Sequence, residues 1–259
     1  MTVDVRKTGH IQIITLDRPD QLNAIDPDTR RALAEAWQQF RSDDDAWVAI
    51  LTGRGEKAFC VGADLKKTMP PEGSFAATHF SSAGGDELWR PMRNLWKPVI
   101  AAINGFAFGG GLELALACDL RIASTNAVFS QSEVRVGSMV GAGGAIRLMK
   151  AVPEAVAMKM LLTGTRIGAE EAHRVGLISD LFKPADLMAR AEEMAEEICR
   201  NAPLSVRATK MAAVLGQAIP QDQALEVERL LWGLLRNTDD RIEGRVAFAE
   251  KRQPQWRSR

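Results

Sequence analysis

The stretch KPVIAAINGFAFGGGLELALACD, residues 97–119, joins an apolar run to an apolar helix through three consecutive glycines. Residues 99–103 are apolar, rich in β-branched side chains and bounded by Pro98 and Asn104-Gly105, which predicts a fully buried strand. Residues 112–118 are apolar on every side except at Glu113, the pattern of a helix without a solvated face. A carboxylate is costly to bury there unless it is hydrogen-bonded or paired, although the first helical turn favours its ionised form. Glycine carries no Cβ, so the N–H groups of Gly109, Gly110 and Gly111 are open to a ligand, and at a helix start they lack intrahelical partners. The stretch reads as an anion site beside a carboxylate, with the chemistry expected at that junction.

Three other readings compete. A Walker loop needs Gly-Lys-Ser/Thr where this chain has Gly-Leu-Glu, and a dinucleotide fingerprint needs glycine at Leu114. A membrane span over 98–118 has a suitable length, but Asn104, the glycines and Glu113 interrupt it. A tight structural turn with a satisfied core glutamate stays open on this stretch alone.

The 259 residues suffice for one large domain or a domain with an appendage, and 46% hydrophobic content supports a full core. Lys+Arg and Asp+Glu are both 33, with no long block of like charge, which argues against nucleic acid or a membrane surface as the main partner. Residues 1–10 show no apolar leader, and Cys60, Cys118 and Cys199 have neither metal spacing nor an even count, so a reducing cytoplasm is expected. His10, His79 and His173 stand far apart, which leaves carboxylates and backbone as the material for catalysis.

Around the central stretch, residues 10–16 predict a strand, and Asp26-Pro27 supplies an N-cap and first-turn proline for a helix that buries Leu33, Ala36, Trp37 and Phe40. Residues 47–51 predict the next strand. In FCVGADL, 59–65, Gly62-Ala63 precedes a short helix, which makes the Ala63 N–H a second candidate free donor; an ordinary helix entry reads equally well. Residues 69–85 have no steady period and predict a long loop of the kind that forms lids. Strands are expected at 120–123 and 127–131, and Gly141-Ala142-Gly143-Gly144 opens a helix close to Glu133. Beyond Pro153 the pattern is helical, with one more strand at 178–182 and an amphipathic segment at 222–251 suited to the core or to another subunit.

Four ordered motifs, LDRPDQLNAI, FCVGADL, NGFAFGGGLELALACD and FSQSEVRVGSMVGAGG, with AFAEKRQPQW near the end, resemble the enoyl-CoA hydratase/isomerase (crotonase) superfamily over essentially the whole chain. The resemblance implies an α/β fold: a crotonase-like spiral of ββα units over 1–197, carrying the CoA and active sites, and a C-terminal helical trimerisation region over 198–259. It implies a homotrimer or homohexamer acting on acyl-CoA thioesters, with coenzyme A as part of the substrate and neither a separate cofactor nor a metal. The oxyanion-hole donors would be the N–H groups of Ala63 and Gly110, the catalytic acids Glu113 and Glu133, with Gly141 positioning the water or its loop. CoA would lie against Gln21, Leu22, Ala24, Asp64 and Leu65, with Phe248 and Lys251 contributing from the same or a neighbouring subunit.

Two glutamates can hold a water between them, so the resemblance points to a 2-enoyl-CoA hydratase. The alternatives are an enoyl-CoA isomerase, a carnitinyl/crotonobetainyl-CoA dehydratase, or an RNA-binding relative, which would need a lysine-rich face that the charge balance does not offer. Asp20 stands where relatives often carry lysine, and Ser132 and Val140 replace common prolines. The acyl pocket is expected from 69–85 together with Trp89 and Met92, and the acyl group itself is not legible.

Overall fold

The computed structural model of the chain describes residues 2–68, 92 and 94–259. A hairpin of β1 (Val3–Thr8) and β2 (Ile11–Leu16) leads to α1 (Pro27–Ser42), whose N-cap Asp26 accepts a hydrogen bond from the Thr29 N–H. The chain then climbs through three similar turns. The first is β3 (Val48–Gly53), β4 (Ala58–Cys60) and α2 (Leu65–Thr68). The second is β5 (Val99–Ile103), β6 (Phe106–Phe108) and α3 (Gly110–Ala117). The third is β7 (Leu120–Ser124), β8 (Val128–Ser130) and, after a 3-10 turn at Glu133–Val136, α4 (Gly144–Ala151). In each turn the first strand joins one sheet and the second joins another.

That alternation builds a six-stranded sheet of order β1-β2-β3-β5-β7-β10 and a four-stranded sheet of order β4-β6-β8-β9, where β9 is Ile167–Gly168 and β10 is Asp180–Phe182. β3, β5 and β7 run parallel in the first, and β4, β6 and β8 run parallel in the second. This is the spiral of ββα units, and the chain has the crotonase-like fold. The remaining helices are α5 (Glu154–Thr163) before β9, α6 (Ala169–Arg174) between β9 and β10, and, after β10, α7 (Leu187–Cys199), α8 (Pro203–Gly216), α9 (Gln221–Leu235) and α10 (Asp239–Glu250).

The central strands β3 and β5 are buried throughout, without alternation, because both faces of the large sheet are covered there. In β3 and β5, Ala49, Leu51, Val99, Ala101 and Ile103 face the main core with Trp37, Phe40 and Leu112. Val48, Ile50, Ile100 and Ala102 face a second layer formed with Leu187, Ala191 and Ala195 of α7. Each fully buried Leu or Ile contributes roughly 1.5–3 kcal/mol, so packing rather than the three-residue ladders of the small sheet holds the spiral. The expected boundary at 197/198 falls within the last turn of α7, a helix that belongs to this core; the helices that follow it are α8, α9 and α10.

Several elements differ from the sequence reading. The strand at 99–103 does not pass straight into the glycines: Asn104 turns the chain out of the large sheet, and β6 adds a strand to the small one first. β1, β4 and β9 were likewise not legible, being short or, for β1, polar along one face. The segment at 222–251 is two helices, and no residue of α9 is buried. The expected loop at 69–85, with Trp89, lies outside the described residues. Among the described residues, no helix is long and apolar enough to cross a membrane.

Candidate active site

The site forms where the second turn of the spiral touches the first and third. Gly109 takes φ +51°, a conformation that L side chains rarely adopt, and this turns the chain from β6 into α3. Gly111 then lies against β4 so closely that a Cβ would meet the Cys60 carbonyl oxygen at 2.0 Å. Together they present the Gly110 N–H at the open end of α3, next to Gly62-Ala63. A Cβ placed on Gly110 would stand 3.9 Å from the Ala63 nitrogen.

Ala63 is held by a single parallel bridge to Ile25, in which the Ile25 N–H donates to Gly62 O at 2.8 Å and the Asp64 N–H donates to Ile25 O at 2.9 Å. On the Ala63 side this parallel bridge uses the carbonyl of Gly62 and the N–H of Asp64, so the Ala63 N–H takes no part in it. Among the described residues neither the Ala63 nor the Gly110 N–H donates to a backbone acceptor. Two unpaired donors thus share one spot, the arrangement that stabilises a developing oxyanion.

Two carboxylates converge on the same spot. Glu113, 5% exposed, sits in the first turn of α3. Its Oε1 accepts the N–H groups of Ala142, at 2.6 Å, and Gly144, at 3.1 Å, so the glycine turn before α4 clamps one oxygen. The other, Oε2, lies 3.9 Å from the Cβ position of Gly110. Glu133, at the start of its 3-10 turn, places Oε1 3.0 Å from the Cβ position of Gly109. Burial, with the like charge of Glu113 added, holds the Glu133 carboxyl above its ordinary value, against a smaller opposing effect of its own backbone N–H. Glu133 therefore keeps its proton to a higher pH than an ordinary glutamate does.

Gln131 was not singled out by its sequence. It is fully buried, and with its amide nitrogen turned to Glu133 it donates to both carboxylate oxygens at 3.2 Å. The available signal was a polar side chain closing an apolar strand run. Gly141 is exposed one residue before the Ala142 N–H that holds Glu113.

The expected CoA residues fall into two groups. Gln21, Leu22 and Ala24 line up beside Asp64 and Leu65 because the Ile25–Ala63 bridge joins the two segments. Leu65 is half exposed, whereas the Asp64 carboxylate is engaged by Arg18 at 3.1 Å. Phe248 and Lys251 belong to α10 and its C-cap; Phe248 is 87% exposed, and among the described residues no hydrogen bond or ion pair joins either to 21–24. No three His, Cys, Asp or Glu side chains converge among the described residues to hold a metal ion. Burial pushes the Cys60 and Cys118 thiols up to about 12, which makes them core side chains rather than nucleophiles.

Residues 6–259 match the family described as Enoyl-CoA hydratase/isomerase. The chain is 51% identical to an (E)-benzylidenesuccinyl-CoA hydratase of Thauera aromatica over 99% of both chains. It is 41% identical to a carnitinyl-CoA dehydratase of Escherichia coli (strain K12), over 100% of this chain and 99% of the relative. Among solved structures, an enoyl-CoA hydratase from Bacillus anthracis superposes with a TM-score of 0.92 at 35% identity over 100% of both chains.

Proposed function

The chain belongs to the enoyl-CoA hydratase/isomerase family and is a hydro-lyase, and from that premise we propose that it adds water reversibly to a 2-enoyl-CoA thioester through two glutamates and a backbone oxyanion hole. The observation that carries this reading is the convergence at Gly109-Gly110: the Ala63 N–H, Glu113 Oε2 and Glu133 Oε1 all lie within 3.0–3.9 Å of the Cβ positions of those two glycines. An isomerase needs one base; a hydratase needs a group for the water and a group for the α-carbon.

In this mechanism the thioester oxygen sits between the Ala63 and Gly110 N–H groups. Glu113, oriented through Oε1, uses Oε2 to take a proton from water as the water oxygen bonds to the β-carbon. The C=C electrons move to the α-carbon and thioester oxygen, and the resulting enolate is neutralised at the α-carbon by the Glu133 proton. One carboxyl gains a proton while the other loses one, so the pair resets by proton exchange before the next turnover. Acid–base assistance is worth about 10²–10⁴ in rate, and each oxyanion donor about 3–4 kcal/mol. The reverse sequence dehydrates a 3-hydroxyacyl-CoA with the same atoms.

The protein works as a homo-oligomer with CoA as part of the substrate and without a separate cofactor. The apolar side chains of α9 and the exposed Phe248 support this, being left without cover in one chain. The substrate class best supported is that named for the 51% identical relative, (E)-benzylidenesuccinyl-CoA. The test is purified protein assayed side by side on (E)-benzylidenesuccinyl-CoA, crotonyl-CoA, crotonobetainyl-CoA and a 3-enoyl-CoA. The expected result is hydration with the highest kcat/KM on the first. Double-bond migration in the 3-enoyl-CoA without water addition to any 2-enoyl-CoA would replace the hydratase reading by the isomerase one.

A further inference from the structure

The Ala63 half of the oxyanion hole has weak local support. It rests on one isolated bridge rather than a ladder, and α2, which follows it, is only four residues long. A backbone N–H that must hold an oxyanion to within a fraction of an ångström needs support from elsewhere. That support is a buried guanidinium.

Arg18 is 8% exposed. Its Nη1 donates to the Ala24 carbonyl, and its Nη2 reaches Asp64 at 3.1 Å and Asp26 at 3.4 Å. Ala24 and Asp26 flank Ile25, and Asp64 follows Ala63, so one planar fork spans both sides of the single bridge. Lys67 of α2 closes the set by donating to Asp26 at 2.6 Å, which gives two cations against two carboxylates. Burial raises the Asp26 carboxyl, but the hydrogen bonds from Lys67 and Thr29 outweigh it and hold the group well below its ordinary value, so Asp26 is ionised.

The base of the fork is equally fixed. The Asn23 side chain, buried, accepts the Arg18 N–H at 3.0 Å and donates to Ala58 O at 2.7 Å and to Arg54 O at 3.1 Å. Leu22 and Asn23 both have positive φ, 51° and 56°, a strained pair that persists only where its surroundings determine it. The loop at 18–26 is thus a rigid brace between β4 and the segment carrying Ala63, not a flexible connection.

Resting on the oxyanion-hole reading above, we propose that Arg18 is a positioning residue for this reaction: by clamping Ala24 and Asp26 to Asp64 it fixes the Ala63 N–H opposite that of Gly110. Lysine could supply the charge but not a fork that reaches both segments at once.

The test uses full-length protein and two readouts, crotonyl-CoA hydration and the absorbance of bound 2,4-hexadienoyl-CoA. Polarising the thioester carbonyl of that conjugated probe moves its absorption to longer wavelength, so the shift reports the oxyanion hole itself. In Arg18→Lys the expected result is a kcat lower by about tenfold or more, a KM within about twofold of the parent, and a diminished red shift. Asp64→Asn, which keeps an acceptor but loses the charge, gives the same three readings on the other side of the bridge and decides the matter if Arg18→Lys does not fold. A lowered melting temperature with full red shift and kcat would make Arg18 merely structural and overturn the inference. Absence of any red shift in the wild type overturns the oxyanion-hole reading and this inference with it, whereas a wild-type shift that persists in both variants overturns this inference alone.

Discussion

Gly62 and Gly110 meet face to face: a Cβ on Gly62 would lie 2.9 Å from the Gly110 nitrogen and 3.1 Å from the Phe108 carbonyl oxygen. Both are backbone atoms, so neither can step aside as a flexible side chain would. Gly62 also has φ +89°, which an L side chain rarely adopts. Gly62→Ala is therefore expected to push the two oxyanion donors apart. A displacement of about 1 Å is enough to cost about 10²-fold in kcat. Steady-state kinetics on the best of the four thioesters, with thermal unfolding alongside, checks this; a folded Gly62→Ala with parental kcat would separate the two donors.

Glu113→Gln and Glu133→Gln are each expected to lower kcat by about 10²–10⁴ with little change in thioester affinity, since both groups act on proton motion and not on CoA. Glutamine at 113 can still accept the Ala142 and Gly144 N–H groups through its carbonyl oxygen. Isothermal titration with a non-reactive acyl-CoA measures the affinity, and near-parental turnover in either variant would remove the two-carboxylate mechanism.

The raised Glu133 carboxyl has a consequence for stability with a definite sign. Its folded pKa lies above the unfolded value, so between the two the native state binds more protons and unfolding free energy falls as pH rises. The stabilisation from this group is complete below the unfolded value, near 4.5, and gone above the folded one. Glu133→Gln is therefore expected to melt at a higher temperature than the parent at neutral pH and to lose that advantage on acidification. Removing the Glu113 charge in Glu113→Gln should lower the Glu133 midpoint without restoring it to the ordinary value, because burial is the larger cause. Carbon-13 NMR titration of labelled glutamate side chains reads that midpoint directly.

How far the site could be read from the chain depended on whether its parts were local. Glu113 stood out because one carboxylate interrupts a helix that is apolar all round, and Ala63 and Gly110 because glycines precede helix starts. The strands at 47–51 and 99–103 were legible from unbroken apolar runs. Gln131 and Arg18 were not, since their partners lie two residues away in a turn or forty-six residues away across the spiral, and no periodicity encodes such contacts. β4 and β6 of the small sheet, three residues each, escaped notice for a related reason. They are too short to carry an alternation and exist because the spiral brings them together.

The C-terminal helices give an assembly prediction. Leu225, Leu230, Trp232 and Leu234 of α9 and Ile242 and Phe248 of α10 are all more than half exposed in one chain. An apolar surface of that extent is unusual on a monomer. Sedimentation of the intact chain is expected to give a trimer or a multiple of it, and truncation before Asp222 to give monomers or insoluble protein. A stable monomer of the full chain would count against any contribution of Phe248 or Lys251 to a neighbouring CoA site.

Gly110 allows the backbone and side-chain roles at the glycine turn to be separated. It is the first residue of α3, where proline is sterically acceptable to a helix and removes only the N–H that has no intrahelical partner. Gly110→Pro thus deletes the second oxyanion donor, a loss of about 3–4 kcal/mol in transition-state binding. Gly110→Ala keeps the donor. Its Cβ would meet Gly62 Cα at 3.5 Å, ordinary van der Waals contact, while standing 3.9 Å from both the Ala63 nitrogen and Glu113 Oε2. Alanine should therefore fold normally and reduce turnover by crowding the thioester, raising KM along with lowering kcat, whereas proline should lower kcat by about 10²–10³-fold. Circular dichroism and oligomer size are matched to the parent first, because the Gly110 nitrogen faces Gly62, 2.9 Å from where a Cβ there would stand, and a proline ring needs room on that side. A folded Gly110→Pro that hydrates an enoyl-CoA within about tenfold of the parent, less than one oxyanion donor should cost, would show that the enolate oxygen is held by Ala63 and some other donor, and the site would have to be rebuilt around that pair.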